Sequence, residues 1–476
     1  MTMTVAVTTV PHILIFPFPA QGHLIPILDF THYLALRRQL QITILVTPKN
    51  LPLLQPLLSR HPSIQPLTLP FPDSPGIPPG VENTKDLPPS STKSAHVSFM
   101  NALSGLRSPL LNWFQTTPSP PSVIISDMFL GWTHHLASDL GIPRIVFSPS
   151  AAFALSVIYH LWRNMPQLPE NPSESITFPD LPNSPNWIKS QLSPIYRSYV
   201  PGDPQSELVK DGFLADIDSW GIAFNSFAGL ESKYLEYLKI ELGHDRVWAV
   251  GPLLSPPSES VASRGGTSSV SVPHLEAWLD TCPDDKVVYV CFGSEAVLTE
   301  DQSNKLASGL EKSGVQFVWR VKDVEGGRPS IPEGFEDRVA GRGVVIRGWA
   351  PQVMILSHRA VGAFLTHCGW NSVLEGIVAG VPMLAWPMGA DQFIDATLLV
   401  EELKMAVRVC EGKESVPDSE VVASKLSELM EEDREERKLA KELSLAAKEA
   451  VSEGGSSVKD MESLVEQLVQ LYSSSD

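Results

Sequence analysis

Short, continuous apolar runs separated by longer polar stretches with helical spacing recur along the first half of this chain. Residues 12–18 (HILIFPF) are the first such run, and residues 41–46 (QITILV) the second. A run of this length, bounded by turn residues, fits a strand buried on both faces. Residues 122–126 (SVIIS), 144–147 (RIVF), 221–225 (GIAFN) and 246–250 (RVWAV) continue the series. The spacing between them predicts helices, one over residues 24–38 and another ending at Leu140. Strand and helix in strict alternation imply a parallel, doubly wound sheet.

The pattern breaks at residues 254–272 (LSPPSESVASRGGTSSVSV), whose Ser, Pro and Gly content reads as a linker. It then restarts with strands at 287–292, 315–319, 361–366 and 383–386. The charged stretch 420–448 reads as one helix and 458–472 as a final amphipathic helix. The expected architecture is therefore α/β: two Rossmann-like, doubly wound domains facing a cleft. Its expected boundaries are 1–250, a linker at 251–272, a second domain at 273–457 and a terminal helix at 458–476.

Composition narrows this picture without changing it. A length of 476 residues suits two domains that each bury a core. The 42 prolines cluster at 48–90, 108–121 and 165–204, so the first half should carry long ordered loops. A formal charge of −18 argues against nucleic acid or an anionic membrane as partner. Four cysteines without metal-type spacing argue against a disulfide framework or a zinc site. No run approaches the roughly 18 apolar residues of a membrane span, and the N-terminus lacks a basic segment ahead of an apolar one, so a cytoplasmic location is expected.

Residues 349–392 carry the densest chemistry. After the run 361–366, His367-Cys368-Gly369-Trp370 make a turn, Asn371-Ser372 open a helix, and Gly380 closes it. A Gly-containing turn feeding a helix presents unpaired N–H groups and the positive dipole end, a natural seat for phosphate. Asn371, Ser372 and Glu375 fall on one side of that helix, Val373, Leu374 and Ile377 on the other. Elsewhere, His23 follows the first strand and Asp127 follows the run 122–126. Ligands of open parallel sheets bind at the carboxyl ends of the strands, so both residues can reach one crevice. A neutral imidazole at a helix N-terminus, oriented by a carboxylate, is a general base. The plainer alternatives are a helix-capping His23 and a solvated Asp127.

Other signals point to structure. Asp216-Ile217-Asp218 is a D-x-D on a helical approach to a strand, where a metal role is not expected. His134 and His135 are adjacent on a helix and should diverge. Gly341-x-Gly343 precedes a strand, so it fails the dinucleotide fingerprint. The Glu-rich run 431–436 reads as a solvated helix face.

The stretch 349–392 spans 392 − 349 + 1 = 44 residues and resembles, without a gap, the signature box of plant secondary-product UDP-sugar glycosyltransferases. PAQGH at 19–23 and ISDMFLGW at 125–132 resemble that family's catalytic His and Asp segments, and the likeness covers nearly the whole chain. It implies the GT-B fold, with the last helix packing back on the first domain, and an inverting O-glycosyltransferase with His23 and Asp127 as the catalytic pair. It assigns UDP-sugar binding to Ser294, Trp349, Ala350, Gln352, His367, Gly369, Trp370, Asn371, Ser372, Glu375, Asp391 and Gln392. Trp349 would stack on uracil, Glu375 take the ribose hydroxyls, and Asp391 and Gln392 the sugar; core packing is the alternative role for Trp370. Phe129 and Trp132 are candidate acceptor-binding residues, with packing beneath the loop as the alternative for both. UDP-sugar is implied as co-substrate with no metal or other cofactor, the partners being small molecules and the enzyme a monomer. Gln392 at the end of the box is usual for glucose users, so UDP-glucose is the expected donor, with UDP-rhamnose or UDP-xylose as alternatives. Details such as SWGIAFNSF at 219–227 point to flavonols or hydroxybenzoic acids as acceptors. A non-catalytic UDP-sugar binder is the rival of another class.

Overall fold

The apolar runs do become buried strands, and they sort into two parallel sheets. The computed structural model describes residues 10–37, 39–87, 95–254, 268–294, 296–322 and 331–473. The greater part of the expected linker, 255–267, lies outside the described residues. In the first half, β1 (His12–Phe16), β2 (Gln41–Val46), β3 (Gln65–Thr68), β4 (Val123–Asp127) and β5 (Arg144–Ser148) pair in the order β3-β2-β1-β4-β5. A small antiparallel hairpin, β6 (Ser175–Thr177) with β7 (Asn186–Ile188), lies apart. The sheet is completed by β8 (Gly221–Phe224) and β9 (Val247–Ala249) beyond β5.

The second half repeats the plan with β10 (Val287–Cys291), β11 (Gln316–Val321), β12 (Gly343–Arg347), β13 (Val361–Thr366), β14 (Met383–Ala385) and β15 (Ala406–Arg408). Their order is β12-β11-β10-β13-β14-β15, all parallel. In each sheet the winding direction reverses once: between β1 and β4 in the first, between β10 and β13 in the second. Such reversals leave a crevice at the carboxyl ends of the two central strands. Both crevices open into the space between the sheets.

Several local expectations are corrected. The first helix spans Gln21–Ala35 rather than 24–38, so His23 sits in its first turn. The segment 420–448 is two helices, Ser419–Leu429 and Glu435–Ala450, and residues 431–433 form the exposed turn between them instead of a helix face. The final helix, Ser456–Ser473, crosses the chain's full length to lie on the first sheet. Its Met461, Leu464, Val465 and Leu468 join the core made by Ile13, Ile15, Phe30 and Trp248. Asp460 accepts the Ala249 N–H at 2.7 Å.

The D-x-D is resolved into structure. Asp216 is fully buried and pairs with Arg144 at 2.5 Å, while Asp218 caps the C-terminus of the helix Pro204–Ile217. Arg144 also donates from Nε to Ser126 Oγ (2.8 Å), from Nη1 to Ser219 Oγ (3.0 Å) and from Nη2 to the Asp127 carbonyl (3.3 Å). The guanidinium thereby ties the ends of β4 and β5 to the approach to β8. Removing one partner of a buried pair strands the other charge at a cost of about 3–5 kcal/mol. Arg144→Met should therefore lower the thermal midpoint of the protein sharply, whereas exchanging the exposed Arg163 for Met should leave a melting curve nearly unchanged.

Candidate active site

At the first reversal, β1 leads into the helix Gln21–Ala35 and β4 ends on Asp127, with Phe16 level with Ser126 across the pair. This places His23 Nδ1 2.8 Å from Asp127 Oδ2. The other carboxylate oxygen, Oδ1, accepts the Phe129 N–H at 2.9 Å. Asp127 is fully buried and the His23 side chain 16 % exposed, so the carboxylate is fixed and the ring faces the cleft. Since a carboxylate accepts, Nδ1 carries the proton and Nε2 is the basic nitrogen. The imidazole lies 4.5 Å from the Phe129 ring and 5.4 Å from Phe18, centroid to centroid. This arrangement can take a proton from a hydroxyl in the cleft and stabilise the resulting imidazolium.

At the second reversal, β13 ends beside β10, with Thr366 opposite Cys291. The chain then turns through His367, Cys368 and Gly369 into the helix Trp370–Ala379. Gly369 and Gly293, which follow the two strands, hold the His367 ring between them. A Cβ on either would come within 2.6 Å of its Nε2, so only glycine fits these two positions. The helix N-terminus, with Asn371 and Ser372 in its first turn, thus faces the cleft together with His367 and Ser294. It can hold a diphosphate through backbone N–H groups.

Next to it lies a polar network that the sequence did not announce. Gln352 Nε2 donates to Glu375 Oε2 (2.7 Å) and Ser372 Oγ (3.0 Å), and its Oε1 accepts from the Tyr289 hydroxyl (3.2 Å). Trp349 and Ala350 line the same end of the cleft, and the Trp349 carbonyl is held by Ser269. Arg320 also lines it, donating to the Gly293 and Gly348 carbonyls at 2.5 and 2.6 Å, and Lys413 stands at the wall as well. The reading from resemblance put no lysine or arginine among the donor contacts; both of these cations border the cleft. The single Arg in the apolar strand QFVWRV was the available signal.

Asp391 and Gln392 reach the cleft from the turn ahead of the helix Gln392–Thr397. Gln392 Oε1 accepts the Met388 and Gly389 N–H groups at 2.9 and 3.0 Å. Only an oxygen can accept both, so the amide nitrogen is the end offered to the cleft. Asp391 offers an acceptor, and desolvation pushes its carboxyl above the usual range while Ser150 and then His23 pull it back.

The whole space is one cleft of about 480 Å³. On the His23 side its walls are Met128, Phe129, Val157, Ile158, Leu161 and Phe213, with His96 as a polar point, an apolar slot suited to a hydrophobic molecule. Two sequence-predicted residues stand apart from that wall or only partly in it. Trp132 is buried in the core, edge-on to Phe16 at 6.0 Å, and is not among the cleft-lining residues, because the helix it opens packs inward from β4. Trp370 borders the cleft but is only 3 % exposed, with its indole N–H donated to the Asn225 carbonyl at 2.7 Å. Asn371 likewise donates to the Gly22 carbonyl at 2.8 Å. Among the described residues there is no group of three His, Cys, Asp or Glu side chains arranged to hold a metal, and no helix long and apolar enough to cross a membrane.

The comparisons with known proteins agree with this geometry. A family described as "UDP-glucoronosyl and UDP-glucosyl transferase" matches residues 267–439. UDP-glycosyltransferase 89B2 of Stevia rebaudiana is 58% identical over 96% of this chain and 97% of its own length. Flavonol 3-O-glucosyltransferase UGT89B1 of Arabidopsis thaliana is 54% identical over 97% of each. Among solved structures, Arabidopsis thaliana UGT89C1 complexed with UDP-L-rhamnose superposes with a TM-score of 0.81 at 42% identity, covering 97% of this chain and all of that one. Medicago truncatula UGT71G1 complexed with UDP-glucose gives a TM-score of 0.82 at 26% identity, covering 97% and 98%. With two reversed sheets meeting at one cleft and relatives matching along its whole length, this chain belongs to the UDP-glycosyltransferase family and has the GT-B fold.

Proposed function

We propose that the protein transfers glucose from UDP-glucose, with inversion, to a phenolic hydroxyl of a flavonol-like acceptor. The observation that carries this reading is the apposition of the two reversal points: a carboxylate-held imidazole on one wall, a phosphate-ready helix terminus on the other. UDP lies along the second domain, its base on Trp349, its ribose on Glu375 and its diphosphate against His367, Asn371, Ser372 and Ser294. The sugar then hangs between Asp391, Gln392 and His23. The acceptor occupies the apolar slot beside Phe129.

In the reaction the acceptor oxygen bonds to the anomeric carbon from the face opposite UDP while its proton passes to His23 Nε2. The bond from that carbon to the phosphate oxygen breaks, and UDP leaves with the electron pair. Asp127 stabilises the imidazolium, which later releases the proton to solvent. The transition state has oxocarbenium character. Charge on the leaving diphosphate is met by oriented N–H groups, with the Arg320 guanidinium behind them.

The acceptor class rests on the apolar, aromatic-bearing slot and on the likeness to a flavonol 3-O-glucosyltransferase. Donor choice is less evenly supported, because a flavonol 7-O-rhamnosyltransferase of Arabidopsis thaliana is 41% identical. Glucose is favoured by Gln392, whose amide N–H can donate to a sugar oxygen. On this reading the enzyme works on small molecules as a cytosolic monomer, in keeping with its strongly negative charge.

Three measurements test the proposal. His23→Ala should lower kcat by about 10²–10⁴-fold while calorimetry shows UDP affinity unchanged; retained turnover would refute the base assignment. Gln392→Glu keeps the acceptor for the Met388 and Gly389 N–H groups but loses the outward donor, so kcat/KM for UDP-glucose should fall by about tenfold. With quercetin as acceptor, UDP-glucose should be used faster than UDP-rhamnose or UDP-xylose, and a reversed order would overturn the donor choice.

A further inference from the structure

The first domain reaches the sugar end of the cleft through a residue with no assigned role. β5 ends at Ser148, and the chain turns through Pro149 and Ser150 into the helix Ala152–Asn164. The Ser150 hydroxyl donates to Asp391 Oδ2 in the second domain, and both residues line the cleft. Ser150 itself is only 3 % exposed.

The Ser150 backbone is held from two sides. Its N–H lies 3.3 Å from Ser148 Oγ, and its carbonyl accepts from the same hydroxyl at 3.1 Å. The helix that follows is fixed by Glu231, a buried side chain accepting the Ala152 and Phe153 N–H groups at 3.0 and 2.9 Å. The hydroxyl is thus delivered from a rigid turn rather than a mobile loop. On the opposite side, the Asp391 carbonyl accepts from Ile394 and Asp395, which fixes the backbone carrying the carboxylate.

A carboxylate that grips two neighbouring sugar hydroxyls must present its oxygens at a set angle, and a rotation about χ2 would spoil both bonds. Tethering one oxygen removes that freedom, as in other sites where an outer partner orients the contacting group. Asp395, one turn further along the same helix, is fully buried, and desolvation keeps its carboxyl well above the usual range. Asp391 is the carboxylate of this turn that lines the cleft, and Ser150 is the hydroxyl that meets it. Because the tether runs between domains, it exists only when the two walls stand in their present relation.

We propose that Ser150 is a positioning residue for donor-sugar recognition: it orients the Asp391 carboxylate across the interdomain cleft, so that the sugar grip is completed by the acceptor-side domain. This rests on the reading above that Asp391 contacts the sugar. It follows that Ser150 should matter for UDP-glucose and not for UDP, which lacks the sugar.

The experiment uses the full-length enzyme with quercetin as acceptor and compares Ser150→Ala, Ser150→Thr, Asp391→Asn and the double variant Ser150→Ala/Asp391→Asn. Ser150→Ala should raise KM for UDP-glucose or lower kcat by about five- to tenfold, while the Kd for UDP from calorimetry stays within about twofold. Ser150→Thr, which restores the hydroxyl, should recover most of the loss. The double variant should be no worse than Asp391→Asn alone, the signature of residues acting through one another. If Asp391→Asn is severely impaired but Ser150→Ala performs as the parent, the positioning role is overturned and the sugar-site reading stands. Losses that multiply in the double variant also overturn it. If Asp391→Asn is itself fully active, the sugar-site reading fails and the proposal with it.

Discussion

The cleft depends on the way the first turn of one helix is anchored to the opposite domain. Trp370 and Asn371 open the helix whose N-terminus faces the cleft, yet both side chains donate outward, to the Asn225 and Gly22 carbonyls of the other half. A buried indole N–H has to find an acceptor, and here that acceptor lies across the domain boundary. The helix end is thereby registered against the helical turn that carries His23, since Gly22 is the preceding residue. Further along the same boundary, Glu402 takes hydrogen bonds from the Tyr234 hydroxyl (2.5 Å) and Asn183 (2.8 Å), with Lys233 beside it at 2.6 Å. Trp187 donates to Thr397 and Gln191 to Glu411. These contacts are polar and mostly local, which suits a boundary that must also let substrates in and products out.

Each domain solves the same topological problem and uses the solution differently. Both sheets reverse once, and the turns that follow the strands at each reversal contribute residues to the shared cleft. In the first, the residues there are titratable and paired, His23 with Asp127. In the second, they are small or backbone-rich, Gly293, Gly369 and the helix terminus, packed around one imidazole. On the proposed reading, proton chemistry and anion binding are kept on separate walls, so that neither electrostatic requirement compromises the other.

Much of this could be read from the chain because it follows from local rules. A fully buried parallel strand is a continuous apolar run, and the central strands of both sheets were visible on that basis. His23 and Asp127 were placed together, although 104 positions apart, by the rule that strand ends share an edge. The same rule, applied one strand further to β5, would have found Ser150. What escaped were features set by register between distant elements. β3 is an exposed edge strand containing Pro66, and β15 is three residues long, too short for any periodicity. Arg320 and Tyr289 look like ordinary strand residues until the neighbouring turns close over them. Trp132 shows the opposite error: its place near Asp127 suggested the slot, but its helix turns it inward onto Phe16. Asp216 was noticed for its spacing from Asp218, while its true partner, Arg144, lies 72 residues away.

The closing helix, Ser456–Ser473, supplies four apolar side chains to a core that otherwise belongs to residues 13–253. During synthesis those early strands leave the ribosome long before the segment that covers them. For as long as translation of the second half takes, Ile13, Ile15 and Phe30 have no finished roof, and the nascent first domain exposes an apolar face to solvent. Folding of the first domain is therefore completed by a segment made long after it, and the arrival of Ser456–Ser473 ends the period in which that core stands open to aggregation.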